Sequence, residues 1–206
     1  MFDTLFSLEH TIASSILEGE SLPYMALCRI EGFIRELIPS LGDEYDITDD
    51  GIAIHRSAVV SPSAVLLPPL IISEGAELRT GAFIRGSVII GRGAVVGNSV
   101  EVKNSILFDE VEVPHLSYIG DSILGYKAHF GAGTMTSNVR ADKRSVRIHM
   151  PDGTIDTGLL KMGALVGDCA EVGCNAVLNP GTVIGQHSNV YPLTSVRTAV
   201  PPFSIC

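Results

Sequence analysis

The chain of 206 residues has few aromatic side chains: Phe, Tyr and Trp together make up 6%, and Trp is absent. Its apolar residues are instead mostly Val, Ile, Leu and Ala, which suit tightly stacked strands or coils. Basic residues are also scarce, with 14 Lys and Arg against 23 Asp and Glu, so the net charge is −9. Nucleic-acid binding needs basic stripes, so we expect no nucleic-acid partner. A local cluster of cations can still bind a small anion.

The sequence lacks the apolar run of about 18 residues that a transmembrane helix needs, so we expect no membrane partner. Asp3 and Glu9 stand where a signal peptide would carry basic residues. The four cysteines fit the spacing of neither a zinc motif nor a disulfide framework: they are Cys28, Cys169, Cys174 and Cys206. These absences favour reduced thiols, a cytoplasmic location and no metal site.

The first fifty residues carry helical signals. Apolar residues at three- and four-residue steps predict one helix over residues 2–18, which Gly19 ends. Ser21 is expected to cap a second helix that stops before Pro39. We expect residues 1–50 to form a helical cap over the open end of the structure that follows, where exposed strand edges would promote aggregation.

From residue 54 the apolar period changes to six. Neither the α-helical period of 3.6 nor the strand period of 2 produces this spacing, whereas a triangular coil with one bulky inward residue on each side does. Stacked coils bury a continuous core that a single coil cannot make. Residues 51–206 are therefore predicted to form a mainly β, parallel β-helix of hexapeptide repeats. The inward positions are Ile54, Val60, Leu66, Ile72, Leu78, Ile84, Ile90, Val96, Val102 and Phe108.

The six-residue register is interrupted in two places. The step from Phe108 to Ile119 is 11 residues, and the next step, to Leu124, is 5. Residues 137–159 also leave the register, and Asp152-Gly153 within them predicts a hairpin turn. We expect an excursion loop that is ejected from the stack. Departures from a regular pattern often mark functional sites.

The first interruption contains His115, whose imidazole could act as a general base because its ordinary pKa suits proton abstraction near neutrality. A plain surface histidine is an equally good interpretation of this residue. The other histidines have no paired spacing that predicts a zinc site.

Two groups of cations are candidates for anion binding. Arg85 and Lys103 each follow an inward position and lie 18 residues apart, so we expect them to stack on one face. Such stacking is unfavourable without an anion or a carboxylate between them, and Glu101 could supply the carboxylate. The excursion loop carries the second group, which is either an anion-binding loop or a solvated charged loop. Its members are Arg140, Lys143, Arg144 and Arg147.

Three segments carry recognisable motifs: residues 97–105 (GN-x-VE-x-K), residues 115–121 (HL-x-Y-x-GD) and residues 130–134 with Asn138 (GAGT…N). These segments resemble the acetyltransferase domain of the bifunctional glucosamine-1-phosphate N-acetyltransferase/N-acetylglucosamine-1-phosphate uridyltransferase family. With the repeats, the resemblance covers about residues 54–199 and implies a left-handed coil. The excursion loop looks closer to archaeal-type sugar-phosphate acetyltransferases.

The resemblance implies a role for each candidate residue. His115 would be the base that deprotonates a sugar amine, and Glu101 would support it. Backbone groups near Ala132 and the side chain of Arg197 would contact acetyl-CoA, the acetyl donor. The residues that would contact the amino-sugar 1-phosphate are Arg85, Lys103, Tyr118, Asn138, Arg144 and Arg147.

The implied activity is acetyl-CoA-dependent N-acetylation of glucosamine-1-phosphate or galactosamine-1-phosphate in UDP-N-acetyl-sugar biosynthesis. The resemblance also implies a homotrimer with the site between neighbouring subunits, and direct transfer that requires no metal. No Gly-rich phosphate loop precedes the repeats, since Gly19 is the first glycine. We therefore expect no uridyltransferase activity, and a separate nucleotidyltransferase as a possible partner. The alternative is a non-catalytic sugar-nucleotide-binding or scaffold protein that keeps the fold.

Overall fold

The computed structural model describes residues 2–206 and is built mainly from short β-strands. In chain order the strands are β1 Tyr45–Ile47, β2 Ile52–His55, β3 Val59–Val60, β4 Val65–Leu66, β5 Leu70–Ile72, β6 Glu77–Leu78, β7 Phe83–Ile84, β8 Val88–Ile90, β9 Val95–Asn98, β10 Glu101–Lys103, β11 Ser105–Leu107, β12 Glu112–His115, β13 Tyr118–Gly120, β14 Ile123–Leu124, β15 His129–Phe130, β16 Met135–Thr136, β17 Arg147–Met150, β18 Gly153–Asp156, β19 Ala164–Val166, β20 Glu171–Val172, β21 Val177–Leu178, β22 Thr182–Ile184, β23 Asn189–Val190 and β24 Ser195–Val196.

The N-terminal helices are shorter than the sequence predicts. The single helix expected over residues 2–18 is wrong, because only α1 (Ser14–Leu17) is α-helical there. The expected Ser21 cap is also wrong, since the following 3₁₀ helix starts at Pro23 without a side-chain cap bond. In the part of the chain that the structure describes, no helix is long and apolar enough to span a membrane. The remaining helices are α2 (Ile30–Leu37) and 3₁₀ turns at Phe2–Thr4, Leu8–His10, Pro23–Cys28 and Ile38–Ser40.

The strands form three sheets that are the sides of a triangular coil. Sheet A consists of β1, β2, β5, β8, β11, β14, β19 and β22; sheet B of β3, β6, β9, β12, β15, β20 and β23; sheet C of β4, β7, β10, β13, β16, β21 and β24. All pairs within them are parallel except β1–β2 at the first edge of sheet A. Ile52 pairs with Leu70, and Leu70 with Val88, so a coil takes 18 residues. This confirms the predicted left-handed parallel β-helix of hexapeptide repeats.

The core lies inside the coils, where the predicted inward residues pack on one another. From Ile72 to Val102 every predicted position is buried. Ile54, Val60 and Leu66 are only half-buried, because they belong to the first coil and have no coil below them. A bulky side chain at each inward position fills the triangular space between three parallel strands, and its burial stabilises the stack by about 1.5–3 kcal/mol for each residue.

The register shift lies earlier than the sequence predicts. Leu107, and not Phe108, pairs with Ile90, so the step from Val102 to the next inward residue is five residues. Val113 then pairs with Val96, and Ile119 with Val102. Each of these coils has 17 residues, and the second short step, from Ile119 to Leu124, falls at the same corner. The expected failure of the register around His115 is therefore wrong, because His115 ends an ordinary strand, β12.

The N-terminal segment covers the outer face of sheet A. The sequence led us to expect it over the open end of the stack, and it does not close that end. The outward-facing residues of the sheet A strands point away from the coil interior, yet they are fully buried. The backbone oxygens of Leu5 and His10 accept hydrogen bonds from Asp168 and Asp109, and α2 packs against β8. The covered residues are Ile71, Ile89, Ile106, Ile123, Leu165 and Val183. Sheets B and C are left as the open faces of the prism.

The excursion between β16 and β19 contains the predicted hairpin, with β17 and β18 antiparallel. Its turn is Pro151-Asp152, one residue earlier than the predicted Asp152-Gly153, because Gly153 already pairs with Met150. It is not ejected from the stack. Val146 and Ile148 are fully buried, and the His149 carbonyl accepts a hydrogen bond of 2.8 Å from the Ala199 N–H. The Gly181 Cα lies so close to the Arg147 carbonyl that a side chain there would collide with it. The hairpin is thus held against the last coils.

Candidate active site

The outer face of sheet C brings together most of the predicted substrate-binding residues. Val102 pairs with Ile84, and the Arg85 N–H donates to the Val102 carbonyl at 2.8 Å. The residues that follow this pair, Lys103 and Arg85, therefore lie side by side on one face. The stacking predicted for these two cations is confirmed. Glu101 lies two positions before Lys103 and alternates back to the same face, next to Tyr118 on β13.

Each of the two cations has its own carboxylate. An Arg85 guanidinium nitrogen donates to Glu101 Oε1 at 2.7 Å, and this bond raises the pKa of Arg85. Lys103 Nζ lies 3.2 Å from Asp121 Oδ2 and 3.3 Å from Oδ1. The sequence suggested that Glu101 would neutralise Lys103, whereas in the structure Glu101 pairs with Arg85. The four charges sum to zero, which removes the repulsion between the stacked cations.

Asp121 is the centre of a larger hydrogen-bonded cluster. Its side chain is 5% exposed and accepts from Lys103, from Asn104 Nδ2 at 2.9 Å, and from Asn138 Nδ2. The Asn138 amide also donates to Tyr118 Oη at 3.1 Å. Burial and, next, the negative charge of Asp121 raise the pKa of Tyr118, so the phenol stays protonated and can donate. The first residues of the excursion are thereby fixed to the sheet.

His115 lies at the corner between sheets B and C, three residues before Tyr118, and its side chain is exposed. Its carbonyl accepts from Ser117 Oγ at 2.8 Å and from the Gly133 N–H at 3.3 Å, which fix the backbone. Within residues 2–206 the imidazole itself takes part in no hydrogen bond or ion pair. Glu101 does not hold it, because the Glu101 partner is Arg85. The His115 ring is thus free to meet a ligand.

Ala132 occupies the same corner one coil above His115, as the Gly133-to-His115 bond shows. Its carbonyl accepts from the Asn175 N–H at 2.8 Å, while among the described residues its own N–H donates to no protein group. A groove of about 480 Å³ continues along this corner past Gly131, Cys174 and Tyr191. The corner therefore offers a free backbone donor next to a partly apolar channel.

The hairpin and the last coil form a second groove, of about 520 Å³, on the sheet C side. Arg147 and Arg197, which the sequence assigned to different ligands, both line it. Arg147 has Asp156 at 3.7 Å, whereas Arg197 is exposed and has no ion pair among the described residues. Arg140 also lines this groove and is paired with Asp142. The Asp142 carboxylate lines the groove as well, so three guanidinium groups face one carboxylate. The net positive lining makes the groove suited to anions.

Some predicted contacts lie outside these groups, and one important residue was missed. Arg144 is exposed, and its only hydrogen bond in the described chain runs from its backbone N–H to Asp142 at 3.3 Å. Asp121 stood within a recognised motif, but nothing in the residue pattern distinguished its carboxylate from that of any turn aspartate. Over residues 2–206 no cluster of three or more His, Cys, Asp or Glu is arranged to hold a metal ion.

Comparison with known proteins bears out the resemblance. The family profile of the GMPPB C-terminal domain matches residues 66–150. A bifunctional sugar-1-phosphate nucleotidylyltransferase/acetyltransferase of Sulfurisphaera tokodaii is 36% identical over 88 residues, which are 43% of this chain and 22% of that protein. The bifunctional protein GlmU of Methanococcus maripaludis is 39% identical over 84 residues, 41% of this chain and 20% of its own. The matches thus span about a fifth of these relatives.

Among solved structures, the acetyltransferase domain of PglB from Neisseria gonorrhoeae in complex with acetyl coenzyme A matches 75% of this chain and 62% of its own. It is 19% identical, with a TM-score of 0.36, and a superposition this loose says nothing about the ligands of the present chain. The sequence matches are the informative ones. They make this chain an acetyltransferase-like hexapeptide-repeat domain related to the bifunctional sugar-1-phosphate enzymes.

Proposed function

We propose that this protein transfers the acetyl group of acetyl-CoA to the amine of an amino-sugar 1-phosphate, either glucosamine-1-phosphate or galactosamine-1-phosphate. The observation that carries the proposal is an unengaged His115 at the corner where sheet C begins, since the outer face of that sheet carries Arg85, Lys103 and Tyr118, and Asn138 is bonded to Tyr118. These residues all lie within residues 66–150, which match the profile of the GMPPB C-terminal domain.

His115 supplies the proton transfer that the reaction needs. A protonated amine has no lone pair, so the sugar amine must lose a proton before it attacks the thioester carbonyl carbon. His115 accepts this proton as the new C–N bond forms. The C–S bond then breaks, and the departing sulfur takes the proton back from the imidazolium. The chemistry leaves no acetyl group on the protein and needs no metal.

The backbone N–H of Ala132 stabilises the charge that develops on the carbonyl oxygen. It lies one coil from His115 and has no competing protein acceptor among the described residues. Oxyanion donors of this kind typically contribute about 2.7–4 kcal/mol to the transition state.

Arg85 and Lys103 hold the sugar phosphate, although both are already paired with carboxylates. Because the four charges cancel, the phosphate gains little from long-range attraction and depends on direct, charge-assisted hydrogen bonds. The Tyr118 hydroxyl, which accepts from Asn138, keeps its own proton to donate to a sugar oxygen.

The coenzyme extends along the stack from Ala132. The partly apolar groove past Gly131 and Cys174 suits its pantetheine arm, and the arginine groove suits its phosphates. Lys103 and Arg197 lie in one column, with Gly120, Ser137 and Asn179 between them. They are therefore four strand spacings, or about 19 Å, apart. The two anionic ligands therefore occupy separate ends of one face.

The active unit is a homotrimer in which a second subunit completes the site. Sheet A is covered by its own N-terminal segment, so the neighbour would contact sheets B and C. These faces carry exposed apolar residues that a partner can bury, among them Val59, Val65, Leu116, Met135 and Tyr191. A separate nucleotidyltransferase would convert the acetylated product into a nucleotide sugar.

The test is release of free thiol from acetyl-CoA in the presence of each amino-sugar 1-phosphate. Turnover that depends on the sugar phosphate supports the proposal, and the faster of the two sugars identifies the substrate. The alternative, a non-catalytic sugar-nucleotide-binding or scaffold protein, predicts no thiol release together with measurable binding of a UDP-sugar by calorimetry.

A further inference from the structure

We infer that Asp121 and Gly120 are positioning residues for the sugar-phosphate site, and this inference rests on the proposed function. Asp121 acts through Lys103 and Asn138, and Gly120 through Tyr118. Neither is expected to touch the ligand.

The argument starts with the hydrogen bonds that converge on Asp121. Its carboxylate accepts from a cation on the preceding coil, Lys103, and from an amide on the excursion, Asn138, which are 35 positions apart in the chain. Asn104 Nδ2 supplies a third donor at 2.9 Å. The carboxylate thus joins two proposed ligand-binding side chains that no element of secondary structure connects.

The backbone keeps the Asp121 carboxylate in place. Asp121 lies in the left-handed region, with φ of 49°, at the corner where the 17-residue coil saves one residue. Its N–H donates to the Lys103 carbonyl at 2.9 Å and its carbonyl accepts from the Gly163 N–H at 2.8 Å. It is therefore fixed on both sides and can anchor the long side chain of Lys103, which is 24% exposed.

Gly120 provides the space in which the Tyr118 ring lies. A Cβ at Gly120 would fall 2.4 Å from Tyr118 Oη and 2.6 Å from its Cζ. The ring therefore lies flat across Gly120, and this orientation brings the hydroxyl to the Asn138 amide at 3.1 Å. Any side chain at residue 120 would push the phenol out of the cluster.

The alternative is that Asp121 merely neutralises Lys103 and competes with the phosphate for it. The two roles have opposite consequences. If Asp121 positions Lys103 and Asn138, Asp121→Asn weakens the sugar-phosphate site; if it competes with the ligand, the same substitution strengthens the site because it removes a negative charge.

The experiment compares Asp121→Asn with Asp109→Asn. Asp109 is a matched control: its side chain is 7% exposed, lies at another corner and pairs with a single cation, Arg92. Both variants should melt at a similarly lowered temperature. Only Asp121→Asn should raise the KM for the amino-sugar 1-phosphate, by about 10-fold or more, while the KM for acetyl-CoA changes less than about twofold.

A double-mutant cycle shows whether Asp121 acts through Lys103. In a Lys103→Met background, Asp121→Asn should cost much less than it does alone, because the side chain that it holds is gone. Gly120→Ala should raise the same KM, because it displaces the Tyr118 ring and hydroxyl. In a Tyr118→Phe background the hydroxyl is already gone, so Gly120→Ala should have only the effect that comes from displacing the ring. An unchanged or lowered KM in Asp121→Asn, or fully additive effects with Lys103→Met, would overturn the inference.

Failure of the proposed function has a different signature. If the parent protein releases no thiol with either sugar phosphate, the activity is wrong. The positioning role is then judged by hydrogen exchange. The amides of residues 137–146 should exchange faster in Asp121→Asn than in Asp109→Asn, and equal exchange in the two variants would contradict the role.

Discussion

Replacement of His115 by Ala is the most direct test of the chemistry. The side chain is exposed, fills no core position and takes part in no hydrogen bond within the described chain, so its loss should leave the stack intact. The bonds that hold this corner belong to the backbone: Ser117 Oγ and the Gly133 N–H both donate to the His115 carbonyl. A surface substitution of this kind is expected to change stability by about 0.5 kcal/mol or less.

The expected effect on turnover is far larger. Loss of a general base typically lowers the rate by about 10²- to 10⁴-fold, which corresponds to about 2.7–5.5 kcal/mol in the activation free energy. The KM for either substrate should change little, because the base acts on the amine in the transition state. Steady-state thiol release and thermal melting, measured on parent and variant together, separate the two effects.

His187→Ala is a suitable control, because His187 is also exposed at a corner of the coil, where it stacks on Phe203 with ring centroids 5.0 Å apart. The His187→Ala variant should release thiol at the rate of the parent protein. A His115→Ala protein that keeps its melting temperature and works within about threefold of the parent rate would show that His115 is not the base. A variant that loses activity only because it unfolds would instead support a structural role.

Three further outcomes follow from the geometry. Arg85→Ala or Lys103→Ala should weaken sugar-phosphate binding by roughly 10- to 150-fold, since a charge-assisted bond contributes about 1.5–3 kcal/mol; a raised KM for acetyl-CoA alone would reverse the assignment. Arg147→Gln and Arg197→Gln should each raise the KM for acetyl-CoA and leave that of the sugar phosphate unchanged, because both side chains line the arginine groove; steady-state kinetics with each substrate varied measure this, and the opposite pattern would return Arg147 to the sugar site. Light scattering at micromolar concentration should give the mass of a trimer, and an active monomer would contradict the shared site.

The repeat could be predicted from sequence because its cause is local. Each hexad needs one bulky inward residue, so the period is written directly in the chain, and the predicted positions from Ile72 to Val102 are all buried. The stacking of Arg85 with Lys103 followed from the same arithmetic. These features depend on residues one coil apart, and in the coils from Ile52 to Val102 that separation is always 18 residues.

What sequence reasoning missed depends on contacts that have no fixed spacing. The Asp121 to Asn138 bond and the approach of Arg147 to Arg197 both require the excursion to fold back on the stack. The periodic apolar residues of the N-terminal segment were real, but they reflect packing on a flat apolar sheet. They did not produce the long helix that periodicity alone predicts: within residues 2–206 the longest helix is α2, with eight residues.

The misplaced register shift gives a last test, because it changes what Phe108 should touch. A strict six-residue period puts Phe108 inside the coil, whereas the structure puts Leu107 there, paired with Ile90. Phe108 instead meets Phe6 of the N-terminal segment, with ring centroids 5.2 Å apart. Phe6→Ala and Phe108→Ala should therefore be coupled by about 0.5–1.5 kcal/mol in a double-mutant cycle measured by urea unfolding, as aromatic pairs are.

Leu107 supplies the control for this cycle. Its side chain points into the coil and is fully buried, so Leu107→Ala should destabilise the protein by about 2–5 kcal/mol. Its effect should nevertheless add to that of Phe6→Ala within about 0.5 kcal/mol, because the coil wall separates the two side chains. Coupling of Phe6 to Leu107, with none to Phe108, would place the one-residue shift after Phe108. The geometry of the corner that holds Asp121 against Lys103 would then be wrong, because that corner is formed by the 17-residue coils.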